Sequence, residues 1–305
     1  MGNGPELESA IHTVGLSKSY GAVRAVADLS MTVPRGEIFG FLGPNGAGKT
    51  TSVKLLTGLS NPTSGKAWLL GKPVGDVATR GRIGYLPELF RYQGWMSAVE
   101  VLRLHCELAD VAVKRRRTEI EEALVLVGLA DRANDKVNTF SKGMQQRLGL
   151  GVSLLGRPDL VFLDEPTSAL DPVGRKEVRD IIVELRSRGI TVFLNSHLLS
   201  EVQQVCDRVA VIDRGRVVAS GTMAELLGSG EIRIQVTDLD EAGMQAIAGF
   251  GKAFRSEEWL TVVGVDPQRV PDLVAELVRL GARVHAVERG RQTLEERFIQ
   301  LLDRT

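Results

Sequence analysis

The stretch that decides the fold is GPNGAGKT at residues 43–50, which matches the pattern G-x-x-x-x-G-K-[ST] at every position. Its glycines permit the tight turns that let backbone N–H groups surround a phosphate. A helix predicted over residues 49–59 would aim its positive end at the same anion. Lys49 would neutralise the β- and γ-phosphates, and the Thr50 hydroxyl is placed to bind Mg²⁺. Because a predicted strand at 37–42 leads into this loop, the sequence predicts a nucleotide-binding P-loop.

A second motif, LVFLDE at residues 160–165, reads as a buried strand that ends in two carboxylates. The carboxyl ends of parallel strands form the edge at which such sheets bind ligands. Asp164 would hold Mg²⁺, directly or through water, and Glu165 would orient or deprotonate the attacking water. An isolated Asp-Glu pair more often only ends a strand, but a P-loop in the same domain favours the catalytic interpretation.

The remaining pattern alternates strands with helices, which predicts an α/β domain with a parallel sheet. Further strands are predicted at 11–16, 23–33, 82–86 and 190–194, and a helix at 172–189. Apolar residues at helical spacing predict a helical subdomain at about 90–155. A composition shift at Gly228-Ser229-Gly230 marks the expected boundary between an ATP-binding domain, 1–228, and a small α+β accessory domain, 229–305.

The segment SKGMQQR at residues 141–147 narrows the choice among nucleotide hydrolases. Ser141 at a helix start presents a hydroxyl, backbone amides and a helix dipole to a phosphate. With the two motifs above, the chain resembles the nucleotide-binding subunit of an ABC transporter, with Lys142 and Met144 where the commonest signature motif has glycines. The resemblance implies a P-loop NTPase core of the ABC ATPase type, with antiparallel β and helical subdomains.

The resemblance also assigns roles to single residues. Tyr20 matches the aromatic residue that stacks on adenine, Asp171 matches the loop residue that communicates across a dimer, and His197 matches the histidine that contacts the γ-phosphate. Glu88 stands where the family commonly has glutamine beside the metal and the attacking water, so it adds a negative charge there. The implied sites are catalytic Glu165, His197 and Glu88; ATP-binding Tyr20, Gly43, Pro44, Asn45, Gly46, Ala47, Gly48, Lys49, Thr50 and Thr51; signature Ser141, Lys142, Gly143, Met144 and Gln145; and Mg²⁺-binding Thr50, Asp164 and Glu88.

The partners are likewise implied by the resemblance. ATP and Mg²⁺ would be bound between two copies, with Ser141 of one copy completing the site that holds Lys49 of the other. Since no apolar run reaches 18 residues, a separate polypeptide would supply the membrane permease. The segment at 88–95 would contact that permease, and the chain would lie peripherally on the cytoplasmic face of the membrane. The form of the signature motif and the C-terminal appendage resemble those of exporters.

Composition sets the outer bounds on function. The 305 residues contain 38 Lys and Arg against 38 Asp and Glu, and this balance does not favour nucleic acid as a partner. Two alternatives stay open: a soluble ABC-type ATPase of translation or DNA maintenance, and a regulatory module that binds ATP without hydrolysing it. The first commonly has two ATPase units or long coiled-coil arms, which this sequence lacks. The presence of Asp164, Glu165 and His197 argues against the second.

Overall fold

A computed structural model describes residues 9–168, 170–227, 231–256, 258–290 and 294–302 of the chain. The fold divides into two compact units, one ending at Ser220 and the other beginning at Gly221. The expected boundary at Gly228-Ser229-Gly230 lies outside the described residues, so the domain limits at 228 and 229 stay a prediction.

The first unit contains the strands and helices that surround the P-loop. Its strands are β1 Ser9–Tyr20, β2 Val23–Pro34, β3 Ile38–Leu42, β4 Ser64–Leu69, β5 Lys72–Pro73, β6 Ile83–Leu86, β7 Leu160–Asp164, β8 Thr191–Asn195, β9 Arg208–Asp213 and β10 Arg216–Thr222. Its helices are α1 Lys49–Leu56, α2 Val77–Arg80, α3 Ala98–Leu108, α4 Val113–Leu126, α5 Lys142–Ser153, α6 Pro172–Ser187 and α7 Leu199–Val205.

Within the described residues these strands form one sheet in the order β5-β4-β1-β2-β10-β9-β3-β8-β7-β6. Strand β1 pairs in antiparallel fashion with β2 and β4, whereas β3, β6, β7, β8 and β9 pair in parallel. An antiparallel part therefore adjoins a parallel part. The expected α/β core with an antiparallel β subdomain is confirmed.

The parallel part is the apolar centre of this unit. Every residue of β3, β7 and β8 is buried, as expected for strands covered on both faces. The Phe193 ring lies 5.2 Å from the Phe41 ring and 5.3 Å from the Phe162 ring, measured between centroids. Because the three strands pair in parallel, their carboxyl ends meet at one edge of the sheet.

The helical subdomain is built from α3, α4 and α5, which pack against one another. A capping box fixes the start of α3: Ser97 Oγ accepts a hydrogen bond from the Glu100 N–H, and the Glu100 carboxylate accepts one from the Ser97 N–H. Short 3₁₀ helices at Ala130–Arg132 and Val137–Thr139 interrupt the helical run before α5. The described residues therefore contain the helices that the apolar spacing predicts, although the helical run is less continuous, and the subdomain limits at about 90–155 stay a prediction.

The second unit is a small α+β arrangement. Its elements are α8 Met223–Leu227, β11 Glu231–Thr237, α9 Glu241–Ala246, β12 Lys252–Ser256, β13 Trp259–Val263, α10 Val270–Arg279, β14 Arg283–Gly290 and α11 Leu294–Leu302. The strands form an antiparallel sheet in the order β12-β13-β11-β14. Buried Ile234, Leu260, Leu273 and Leu277 bring one face of this sheet together with α10.

Candidate nucleotide-binding site

The P-loop connects β3 to α1 and has the backbone that its glycines predict. Gly48 has φ of 101°, and a Cβ atom at this position would lie 2.3 Å from the Ala25 carbonyl oxygen. A side chain there would force the loop away from β2, so only glycine fits. Since α1 begins at Lys49, immediately after Gly48, the first turn of this helix follows the loop directly.

Lys49 lies folded over this loop and is buried. Its Nζ donates hydrogen bonds to the carbonyl oxygens of Gly43, at 2.8 Å, and Pro44, at 3.1 Å. Burial lowers the pKa of the Lys49 ammonium group, while the negative charges of Glu165, Asp164 and Glu88 act in the opposite direction. The Lys49 ammonium group therefore interacts with three carboxylates, while Arg24 supplies a second cation to the same cavity.

Asp164 ends β7 and is 1% exposed. Burial raises the pKa of its carboxyl group, and Glu88 and Glu165 raise it further, whereas hydrogen bonding to Asn195 and the charge of Lys49 lower it. Burial, together with the charges of Asp164 and Glu88, also raises the pKa of Tyr85 to about 12. These shifts indicate a site in which an added positive charge would be stabilised.

Glu165 is held by its backbone and by a histidine. Its φ of 53° lies in the left-handed region, which is uncommon for a side chain of this size and recurs at functional sites. The Glu165 N–H donates to the Asn195 carbonyl oxygen at 2.8 Å, which stabilises this conformation. The carboxylate Oε2 lies 2.7 Å from Nδ1 of His197. The predicted catalytic pair is thus in direct hydrogen-bond contact.

A cavity of about 450 Å³ joins these elements. It brings the P-loop together with Glu88, Glu165 and His197, although these residues are far apart in the sequence. It is lined by Val23, Arg24, Ala25, Asn45, Gly46, Gly48, Lys49, Thr50, Thr51, Glu88, Glu165, Asn195 and His197.

Tyr20 lies beside this cavity rather than in its lining. It ends β1, is half exposed, and pairs across the hairpin with Val23, which does line the cavity. The Lys18 ammonium group lies 5.0 Å from the centroid of the Tyr20 ring. The predicted adenine-stacking residue is therefore the strand partner of a residue that lines the cavity.

The signature residues lie elsewhere. Ser141 caps α5, where its Oγ accepts a hydrogen bond from the Met144 N–H at 3.2 Å, and Lys142, Gly143, Met144 and Gln145 follow in the helix. Asp171 caps α6, where its Oδ1 accepts from the Gly174 N–H at 2.7 Å. Neither Ser141 nor Asp171 lines the cavity. The commonest signature motif has glycines at positions 142 and 144. In this chain both positions have ordinary helical backbone, so Lys142 and Met144 need no conformation that favours glycine.

Sequence reasoning missed two polar residues of the cavity. Arg24 follows the Tyr20 turn, and its guanidinium donates to the Ala27 carbonyl oxygen at 2.7 Å. Asn195 is the last residue of β8. A polar residue that directly ends an apolar strand, two positions before the matched histidine, is the sequence signal that would have found Asn195.

Two features are absent from the described residues, a cluster of metal ligands and a membrane-spanning helix. Among these residues, no group of three or more His, Cys, Asp or Glu side chains is arranged as a metal site. The oxygens of Thr50, Asp164 and Glu88 would therefore need the phosphates of a nucleotide to complete a Mg²⁺ shell. Of the helices in the same part of the chain, none combines the length and hydropathy needed to cross a bilayer.

Comparison with known proteins places this geometry in a family. A family model described as ABC transporter matches residues 26–168. An uncharacterised ABC transporter ATP-binding protein of Synechocystis sp. is 39% identical over 98% of this chain and 86% of its own length. The daunorubicin/doxorubicin resistance ATP-binding protein DrrA of Streptomyces peucetius is 36% identical over 96% of this chain and 95% of its own length.

Solved structures agree with these relatives. The ATP-binding subunit of an ABC transporter is 28% identical, covers 72% of this chain and 92% of its own, and superposes with a TM-score of 0.65. The chain belongs to the ATP-binding proteins of ABC transporters, and it is an ATPase that powers a membrane permease.

Proposed function

We propose that two copies of this chain enclose ATP and Mg²⁺ at the cytoplasmic face of a membrane and drive export through a separately encoded permease. The observation that carries this proposal is the division of the site. One chain brings the P-loop, Glu88, Glu165 and His197 to a single cavity, while Ser141 lies outside it. A phosphate held by the P-loop would therefore meet Ser141 only from a second copy.

The residues of the cavity fit ATP with Mg²⁺. P-loop amides and Lys49 would bind the phosphates, and Tyr20 would stack on adenine beside the cavity. Thr50, Asp164 and Glu88 would hold the metal ion, which supplies positive charge to the phosphates. Because Lys49 is opposed by three carboxylates, ATP alone would bind less tightly, and we expect nucleotide binding to strengthen when Mg²⁺ is present.

Hydrolysis would proceed by attack of water on the γ-phosphorus. A bond forms between the water oxygen and phosphorus, the bond to the β,γ-bridging oxygen breaks, and ADP leaves. Glu165 accepts a hydrogen bond from the water and takes its proton, and His197 fixes the orientation of the Glu165 carboxylate through their 2.7 Å contact. The exposed remainder of the His197 ring would be available to the γ-phosphate.

Dimerisation follows from the same phosphate chemistry. Ser141 starts a helix of 12 residues, so its hydroxyl, the first-turn amides and the helix dipole form one anion-binding surface. Docking that surface on ATP held by the other copy would bury the nucleotide on both sides. Asp171 caps α6 and lies six residues after Glu165 in the sequence. It would contact the second copy and couple the two ATP sites across the dimer.

Export is supported by one relative in particular. DrrA, which aligns with nearly the whole of this chain, is named for resistance to daunorubicin and doxorubicin. Resistance to such compounds is what removal from the cell would produce. We also propose that residues 1–228 form the ATP-binding domain and that 229–305 form a small α+β accessory domain.

The segment at 88–95 is the proposed permease contact. Leu89 is 87% exposed and Trp95 is 71% exposed, and both are large apolar side chains of the kind that interfaces cover. Helix α2 precedes β6, whereas this segment follows it, so Val77 of α2 lies toward the opposite end of that strand. Val77 is 80% exposed and provides a control of matched exposure.

A cysteine-directed photocrosslinker tests this contact in native membranes. We expect Leu89→Cys to capture a membrane-embedded polypeptide and Val77→Cys to capture none, because the described native cysteines, Cys106 and Cys206, are buried. Mass spectrometry would identify the captured chain. Equal capture from both positions, or capture of proteins without membrane spans only, would contradict the proposed contact.

The captured permease then tests the direction of transport. Reconstituted with this chain in vesicles, an exporter takes its substrate from the side on which ATP is hydrolysed. We expect substrate added on that side to stimulate ATP hydrolysis. Stimulation only by substrate on the opposite side would identify an importer instead.

A further inference from the structure

Asn195 occupies a central position at the carboxyl edge of the parallel sheet. In the strand register it stands beside Asp164 of β7 on one side and Phe41 of β3 on the other. β3 continues into the P-loop, and β7 ends at Asp164, directly before Glu165. Asn195 therefore lies between the phosphate-binding loop and the proposed metal ligand.

The contacts of Asn195 reach both carboxylate residues. Its side-chain Nδ2 donates a short hydrogen bond to Oδ1 of Asp164. Its main-chain oxygen accepts the hydrogen bond from the N–H of Glu165. It also lines the ATP cavity, although the residue as a whole is only 1% exposed.

The other side-chain atom of Asn195 is unusual. Oδ1 is buried, and no group among the described residues donates a hydrogen bond to it. Leaving a buried acceptor unsatisfied costs about 1–3 kcal/mol. The remaining residues of β8 are Thr191 and three apolar side chains, and an apolar residue at 195 would avoid this cost but would leave Oδ1 of Asp164 without its donor. The acceptor is explained if a donor arrives with the ligand.

We infer that Asn195 is a positioning residue for Asp164, orienting its carboxylate to bind the metal that accompanies ATP. The amide N–H engages Oδ1 of Asp164 and thereby leaves Oδ2 available as a ligand atom. The free Oδ1 of Asn195 accepts a hydrogen bond from water brought into the cavity with the ligand. This inference rests on the proposed function, because it requires Asp164 to bind a metal.

A purely structural role makes a different prediction. If Asn195 only offsets the cost of burying Asp164, its loss would lower stability without changing metal affinity in the folded protein. If it positions Asp164, metal affinity falls while nucleotide binding without metal is retained. Loss of a hydrogen-bond partner behind a metal ligand typically weakens metal binding about 10–100-fold.

The test uses Mn²⁺, whose free form has a strong electron paramagnetic resonance signal, with adenylyl imidodiphosphate, an ATP analogue that resists hydrolysis. The variants are Asn195→Leu, which keeps the volume and removes both polar atoms, and Asn195→Ser, which restores one hydroxyl. Thr191→Val is the control: Thr191 begins the same strand, is buried, and accepts a hydrogen bond from the Gly36 N–H at 2.9 Å.

We expect Asn195→Leu to weaken Mn²⁺ binding at least tenfold, Asn195→Ser to weaken it less, and Thr191→Val to leave it unchanged. Affinity for the analogue in the presence of a chelator should match the wild type in all three. Wild-type Mn²⁺ affinity in Asn195→Leu, or in Asn195→Ser if the leucine variant does not fold, would overturn the positioning role alone. A wild-type chain that hydrolyses ATP equally well without any divalent metal would overturn the proposed function as well.

Discussion

Replacement of Glu165 by glutamine is expected to lower ATP turnover by about 10²–10⁴-fold, the range that a positioned general base contributes. Glutamine keeps the shape of the side chain and can still meet His197 Nδ1, which lies 2.7 Å from the carboxylate in the wild-type chain. It cannot take a proton from water. Since Lys49 and the loop amides are untouched, ATP binding should be retained, and the ATP-bound dimer should accumulate.

Phosphate release and equilibrium binding of a fluorescent ATP analogue measure the two parts of this prediction. Glu184→Gln is the matched control, because Glu184 lies on α6, is exposed, and pairs with Arg188 four residues later. That variant should hydrolyse ATP at the wild-type rate. Turnover in Glu165→Gln within about threefold of the wild type would exclude Glu165 as the base.

Ser141→Arg is expected to abolish ATP-dependent dimerisation while leaving nucleotide binding intact. The substitution removes the cap that accepts the Met144 N–H, and it places a large cation at the positive end of α5. Loss of the cap costs about 1 kcal/mol, which an exposed helix start tolerates. The added side chain would also occupy the space that the γ-phosphate of the other copy must enter.

Light scattering of the Glu165→Gln chain with ATP and Mg²⁺ reads out this effect. The Glu165→Gln chain should have the mass of a dimer, and the double variant Glu165→Gln/Ser141→Arg should have the mass of a monomer. Ser187→Arg, an exposed serine near the end of α6, should leave the dimer intact. A dimer of undiminished affinity in the Ser141→Arg chain would remove the basis for a site shared between copies.

The parts of this fold that sequence predicts well are those fixed by short-range rules. The P-loop has obligatory residue types at fixed spacing, and its strand and helix were both predicted. The helix ends at Leu56 rather than at residue 59, because Gly58 has φ of 73° and breaks the helical backbone. The spacing of apolar residues does not show where the backbone leaves the helical conformation, so it predicts the end of a helix poorly.

The strands that escaped prediction have weaker patterns. β4, Ser64–Leu69, begins with exposed residues at its Ser-Gly-Lys end and lies near the edge of the sheet. β9, Arg208–Asp213, contains a short apolar run that periodicity does not distinguish from a helix segment. Their places depend on pairing with distant strands, which a single sequence does not specify.

The candidate site likewise contains residues that the sequence predicts and one that depends on strand pairing. The roles of Glu88 and His197 were predicted through resemblance, and the structure brings both residues to the cavity with Glu165. Asn195 was missed because its importance depends on the register of β8 against β7, which sets it beside Asp164. Neither composition nor spacing contains that register.

The most direct test of a site completed by a second copy is a disulfide bond between the P-loop of one chain and the signature helix of another. Asn45→Cys and Ser141→Cys chains, both also carrying Glu165→Gln, would be mixed under mild oxidation with ATP and Mg²⁺. Both positions are exposed, and the described native cysteines are buried. A disulfide requires the two Cβ atoms to approach within about 3.5–4.5 Å. A site shared between two copies predicts a crosslinked pair, one chain of each kind, that forms only with ATP. No crosslink, or a crosslink that forms equally without nucleotide, would contradict a shared site.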